Sequence, residues 1–455
     1  MQVKQTKSQW KPVSSPQMRE MIEKQVFEIA ARLQDAAYTA KIAENAENRF
    51  ESMGAQHALF HPASLASGYT GISLLYAELD KNDPNYGWDV KGHTLLTAVQ
   101  QEVQRTGIHG LGLWTGLSGI CFAVHLLSRQ GTRYQVFLQK LEEQLGKRLP
   151  EYLAGAKARL QDRPAMSDYD VINGVAGIGR YLLLRQDQPE LVKLLYDVIA
   201  YLVALAGERK VAGKSVPAWH ISKEKQATIA DAERFPQGNF NCGVSHGIPG
   251  VLSLLSLALQ HGVEIEGQRE AIQRIAEWLL AWKQTDAYGD LWAPQLSLEN
   301  WEMGKVDPFV HREAWCYGTP GVARALWLAG ESLGQADWKQ AALKAYRGTF
   351  RRPQELWNLY APTICHGYAG LLLMTQRMYA ESGELRAERD RLAEQVITMF
   401  SSEAPFGYYE VQRLASGDRR LHYPGLLDGA AGTALVLLSL LRAEPPEWEA
   451  ALLLS

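Results

Sequence analysis

Cysteine is scarce in this chain. Only Cys121, Cys242, Cys316 and Cys365 occur among 455 residues. That is too few for a disulfide framework, and it points to a reducing, cytoplasmic setting. An excess of either charge is also missing: 47 Lys and Arg stand against 50 Asp and Glu, for a net charge of −3. A nucleic-acid partner normally demands a basic face, so none is expected. No run of about 18 apolar residues is present, which excludes a membrane-spanning helix. The opening Met1-Gln2-Val3-Lys4 is polar and leads into no apolar segment, so no signal peptide is expected. Phosphate-binding Walker loops, nucleophile elbows and His-Glu-x-x-His motifs are absent too. These absences remove the commonest nucleotide, acyl-transfer and metalloprotease chemistries.

Glycine, by contrast, is organised. A Gly-x-x-Gly unit begins at Gly68, Gly116, Gly174, Gly247, Gly318, Gly367 and Gly429, with successive spacings of 48, 58, 73, 71, 49 and 62 residues. Each unit opens a run that is apolar nearly all round, such as Gly250-Val251-Leu252-Ser253-Leu254-Leu255, as expected of a buried helix. Between these runs lie amphipathic, charge-rich stretches: Met18 to Leu33, Tyr134 to Leu153, Gln268 to Trp282 and Leu385 to Phe400. Seven alternations predict an all-α fold, a closed (α/α) toroid of seven outer–inner helix pairs, as one domain over 1–455. Two spacings are long. Their excess falls at Lys210 to Asn241 and at Asp286 to Val310, where helical periodicity is weak and aromatics are scattered. Both read as irregular loops with short strands flanking the mouth, and residues 208–241 as an inserted, β-containing extension.

The chemistry gathers where the inner helices begin. Cys316 precedes Gly318, and the pair Cys365-His366 precedes Gly367 in the next repeat. Equivalent positions of neighbouring repeats are neighbours in a toroid. Two thiols and an imidazole form a soft donor set suited to zinc, and three protein ligands leave a fourth position open. His246 directly precedes Gly247 and is read as a general acid/base. Asp170, four residues before Gly174, either caps that helix or orients His246. Arg312 either is a surface cation or steadies a developing enolate. Trp315 and Tyr317 shape the pocket, and Tyr317 is also a candidate proton donor. Cys121 reads as core, and Cys242 as a weak candidate ligand. His125 and His220 read as structural. Arg351-Arg352 and the acidic stretch Glu444 to Glu449 read as solvated helix ends.

Taken together, the segments Asp170-Val171-Ile172-Asn173-Gly174, Ser245-His246-Gly247, Arg312-Glu313-Ala314-Trp315-Cys316-Tyr317-Gly318 and Cys365-His366-Gly367-Tyr368-Ala369-Gly370 resemble the lanthionine cyclases, the C-type proteins of lantibiotic biosynthesis. The likeness covers about Gly68 to Gly432. It implies a toroid with zinc in its mouth, held by Cys316, Cys365 and His366. It also implies His246 as acid/base, an active-site Asp170 and Arg312, and Trp315 and Tyr317 beside the first ligand. Glu313 stands where an Asp occurs in the nisin enzyme's similar stretch. The implied reaction is intramolecular Michael addition of peptide thiols to dehydroalanine or dehydrobutyrine. The implied partners are a dehydrated precursor peptide with its leader, a dehydratase and an ABC-type exporter, the last giving peripheral contact with the inner face of the cell membrane. A non-catalytic zinc-bearing peptide- or glutathione-binding scaffold is the alternative. A prenyltransferase-like protein is disfavoured, since its zinc set includes an Asp. A glycosidase is disfavoured because only Asp170 stands at the rim.

Overall fold

In the computed structural model, which describes residues 10–52 and 55–455, charged and apolar helices alternate as the glycine spacing predicts. The seven outer helices are α1 (Pro16–Leu33), α3 (Trp88–Thr106), α5 (Gln135–Leu160), α7 (Pro189–Leu205), α9 (Gln268–Ala281), α11 (Ala336–Arg351) and α13 (Arg386–Thr398). The seven inner helices are α2 (Tyr69–Asn82), α4 (Leu117–Leu127), α6 (Val175–Leu184), α8 (Ile248–Gln260), α10 (Thr319–Leu333), α12 (Tyr368–Ser382) and α14 (Ala430–Ser439). Outer helices bury one stripe; α9 buries Ala271, Ile272, Ile275, Ala276 and Leu279. Inner helices are buried on nearly every side, as in α8 from Ile248 to Leu259. Each inner helix packs on the next, and α14 packs on α2, so the ring closes.

The second glycine of each unit explains the repeat. At Gly370 an added Cβ would lie 1.9 Å from the Ile364 carbonyl oxygen, and at Gly321 2.4 Å from that of Trp315. The same clash, with the carbonyl six residues upstream, recurs at the equivalent glycine of every repeat. The helix therefore crosses tightly over the loop that precedes it. These loops are also stitched to one another. Backbone hydrogen bonds run Leu427 N to Ala66 O, Ala66 N to Trp114 O, Trp114 N to Ile172 O, Val171 N to Ser245 O, Ser245 N to Cys316 O, Cys316 N to Cys365 O and Cys365 N to Leu427 O, at 2.8–3.4 Å. One bond per repeat makes a closed polar hoop at the N-terminal end of the inner helices.

The two long spacings become one structure. Strand Asn239–Asn241 pairs antiparallel with Gln295–Ser297, and Lys214 Nζ reaches Glu302 at 2.8 Å. Within 208–241 lie the hairpin Glu208–Val211/Lys214–Pro217 and a short helix, Ile229–Arg234. A further hairpin, Glu410–Leu414/Gly417–Leu421, occupies the 62-residue spacing before Gly429.

Two expectations about solvated ends are corrected. Arg352 is fully buried, bonded to Glu313 at 3.0 Å and to Asp286 at 2.5 Å. Glu449 is also fully buried and pairs with Arg377. The reason for the second is that the chain from Glu447 to Leu454 enters the centre of the ring. Trp315 Nε1 donates to Leu452 O, and Arg324 Nε to Leu454 O, both at 3.0 Å. A short apolar run after an acidic one is a plug with a charged collar, which charge alone does not reveal.

Candidate active site

The hoop sorts side chains into two classes. Residues two before each opening glycine give their backbone to it, Cys316 and Cys365 among them. The residue just before each glycine faces the mouth: Ser67, Thr115, Asn173, His246, Tyr317, His366 and Asp428, each half-buried or exposed while the glycine after it is buried. All seven are polar.

On one arc of the hoop, the Cys316 and Cys365 thiols and a ring nitrogen of His366 lie within 4.8 Å of one another. Hydrogen bonding from Cys365 holds the Cys316 thiol well below the ordinary range, against burial, with His366 and Arg312 helping. The Cys365 thiol is correspondingly raised, since the pair shares one proton. Burial alone would lower His366. The Cys316 sulfur and the carboxylates of Glu410 and Asp428 outweigh it, and His366 is raised. An acidified thiol beside a second thiol and an imidazole is a donor set that fits zinc.

One repeat away, His246 Nδ1 donates to Asp170 Oδ2 at 2.6 Å. The other oxygen of Asp170 accepts from Asn173 N and Gly174 N, both at 2.7 Å. Asp170 therefore braces the loop that enters α6 and holds His246 at once. Its side chain is 2% exposed, whereas His246 is 36% exposed, leaving Nε2 open to the mouth. Between this dyad and the thiols stands Tyr317, its hydroxyl accepting from Asn241 Nδ2 at 3.0 Å and its acidity suppressed by burial. Its ring centroid is 6.5 Å from that of His246. Arg312 lies at the head of the same loop, half-buried, where Gly318 adopts φ +124° directly against the Arg312 carbonyl. Glu313 anchors this loop by accepting from Thr349 Oγ1 at 2.8 Å as well as from Arg352.

The remaining thiols stand apart. Cys242 donates weakly to Phe240 O, and burial pushes its thiol up to about 12. Cys121 is fully buried among core residues of α4. A cavity of about 820 Å³ lies at the far end of the inner helices, where Arg129 pairs with Asp80 and Arg185 with Glu142. Its charges satisfy one another, and it is remote from this chemistry.

The expectation of a single carboxylate at the rim is corrected: Asp428 Oδ1 lies 3.5 Å from His366 Nδ1, and Glu410 Oε1 lies 3.5 Å from His366 Nε2. Asp428 was legible, since it precedes Gly429 as His366 precedes Gly367. Glu410 was not, because it arrives on a hairpin outside the repeat.

The family described as "Lanthionine synthetase C-like protein" matches residues 60–453. This chain belongs to that family. Among curated relatives of this lanthionine synthetase C-like protein is the nisin biosynthesis protein NisC of Lactococcus lactis subsp. lactis. It is 26% identical over 363 residues, which are 77% of this chain and 83% of NisC. The solved structure of a nisin cyclase superimposes with a TM-score of 0.74 at 23% identity, covering 97% of this chain and 98% of that one.

Proposed function

We propose that this protein closes thioether rings in a peptide. A cysteine thiol of the substrate adds to the β-carbon of a dehydroalanine or dehydrobutyrine in the same peptide, giving lanthionine or methyllanthionine. The observation that carries this reading is the union, on adjacent members of one hoop, of a soft donor trio with a carboxylate-held histidine. A non-catalytic scaffold has no use for the second. The family membership and the likeness to a nisin cyclase point the same way.

Cys316, Cys365 and His366 would hold the zinc. When bound, that ion supplies acidification of a substrate thiol and a site for it to dock. The rest belongs to the protein. As the C–S bond forms, the π pair of the alkene moves onto the α-carbon and its carbonyl, making an enolate. Arg312, whose charge already acts on the Cys316 thiol, would balance that charge. His246 Nε2, the nitrogen Asp170 leaves free, delivers a proton to the α-carbon. The thiol releases one proton and the α-carbon gains one, so the peptide's mass is unchanged. Tyr317, held by Asn241, is the second proton donor on the arc. The dehydrated residues require a dehydratase acting beforehand. Among the described residues no helix is long and apolar enough to cross a membrane.

The test is zinc per chain together with turnover of a dehydrated peptide. The expected result is one zinc in the wild type, lost in Cys316→Ala, with substrate thiols consumed at constant mass. Wild-type protein that binds zinc yet leaves every thiol free would overturn the catalytic reading.

A further inference from the structure

Glu410 is 6% exposed, and its Oε2 has no hydrogen-bond partner among the described residues. A carboxylate buried to that degree is costly unless it has a task. Its Oε1 accepts from Val411 N at 3.1 Å and lies 3.5 Å from His366 Nε2. The residue opens the strand Glu410–Leu414, whose partner position is Leu421. That hairpin is braced from outside the repeat. Gln412 and the Glu51 backbone bond each other in both directions, and Asn48 does the same with His422. A surface hairpin needs no such bracing; a side chain that must be aimed does.

The two ring nitrogens of His366 face different surroundings. Nδ1 lies beside Asp428, which follows the hoop residue Leu427 bonded to Cys365, whereas Nε2 turns toward the hairpin. A histidine can offer a metal only one nitrogen, and the other is normally held by an acceptor that fixes tautomer and ring plane. We infer that Glu410 is a positioning residue: it accepts the Nε2–H of His366 and so presents Nδ1 to the metal beside Cys316 and Cys365. Asp428, whose Oδ1 lies 3.5 Å from Nδ1 and is also buried without a hydrogen-bond partner among the described residues, is the competing acceptor that the test must separate. This inference rests on the metal reading above.

The experiment is zinc affinity by chelator competition, with the cobalt-substituted absorption spectrum as a second readout, on the full chain. The variants are Glu410→Leu, Glu410→Gln and Asp428→Asn. Removing such an acceptor is expected to weaken zinc binding about 10- to 100-fold in Glu410→Leu. Glu410→Gln, whose amide oxygen still accepts, should recover most of that loss. Asp428→Asn should bind zinc within a few-fold of wild type. Thermal unfolding of the zinc-free proteins distinguishes loss of aim from loss of fold, and Glu410→Leu should unfold within a few degrees of wild type. Equal zinc affinity in wild type and a folded Glu410→Leu overturns the inference. So does a loss confined to Asp428→Asn, which would reverse the ring's orientation. Wild-type protein that binds no zinc would instead remove the metal reading itself.

Discussion

His246 gathers its role from three atoms. Asp170 fixes Nδ1, the loop bond from Ser245 to Cys316 fixes the distance to the thiols, and the exposed edge leaves Nε2 free. His246→Ala should therefore abolish ring closure, a loss of about 10²–10⁴ in rate for a removed acid/base, while retaining zinc. Single-turnover assay and metal analysis on one preparation check both halves; loss of zinc would move His246 into the ligand set. His220 behaves oppositely. It is fully buried, its Nδ1 accepts from Arg209 at 2.9 Å and its Nε2 donates to Gln237 O. Burial, with Arg209 beside it, depresses its pKa to about 4. The unfolded chain would take up that proton near pH 6.5, so stability is full above 6.5 and falls as pH drops toward 4, by about 3 kcal/mol. Urea unfolding across that window should show the slope in wild type and a shallower one in His220→Gln. The Glu313–Arg352 pair is buried at both ends. Arg352→Met strands the carboxylate and should cost about 3–5 kcal/mol, much of it restored by adding Glu313→Gln.

Among the elements, the glycines divide by what stands in front of them. Gly370→Ala drives a methyl group into the Ile364 carbonyl just before the Cys365–His366 pair. The expected cost is about 1–3 kcal/mol with a measurable loss of zinc affinity. Gly146, midway along the outer helix α5, faces open space. Gly146→Ala should raise stability by up to about 1 kcal/mol. Parallel melting curves test the contrast; equal effects would deny the tight crossing. The helix register was readable because the glycines and the apolar runs repeat together. Boundaries were less so: α5 runs through Pro150 to Leu160, beyond the expected Leu153, because tertiary packing of Leu153, Ala156 and Leu160 outweighs the local break.

For the molecule as a whole, the donor trio ties the loop before α10 to the loop before α12, two members of a hoop that seven repeats close. A ligand that binds only the folded ring stabilises it by mass action, about 4 kcal/mol at a thousandfold excess over Kd. Zinc should therefore raise the melting temperature of the wild type and leave Cys365→Ala unmoved. An unchanged melting temperature in both would mean that the trio binds no metal.

The repeat of glycine and apolar helix determined the toroid by itself, because a buried helix needs both a tight entry and an apolar surface on every side. The same repeat put Cys316, Cys365, His366, His246 and Tyr317 at equivalent positions, so their neighbourhood followed from chain order. Only the tertiary structure decided which non-repeating pieces join them. The hairpin that brings Glu410 to His366 and the plug that brings Leu452 under Trp315 are set by contacts between residues tens to more than a hundred positions apart. Local pattern carries no record of such pairings. Arg352 and Glu449 mislead for the same reason, since a charge in a sequence shows its sign and leaves its partner to the fold.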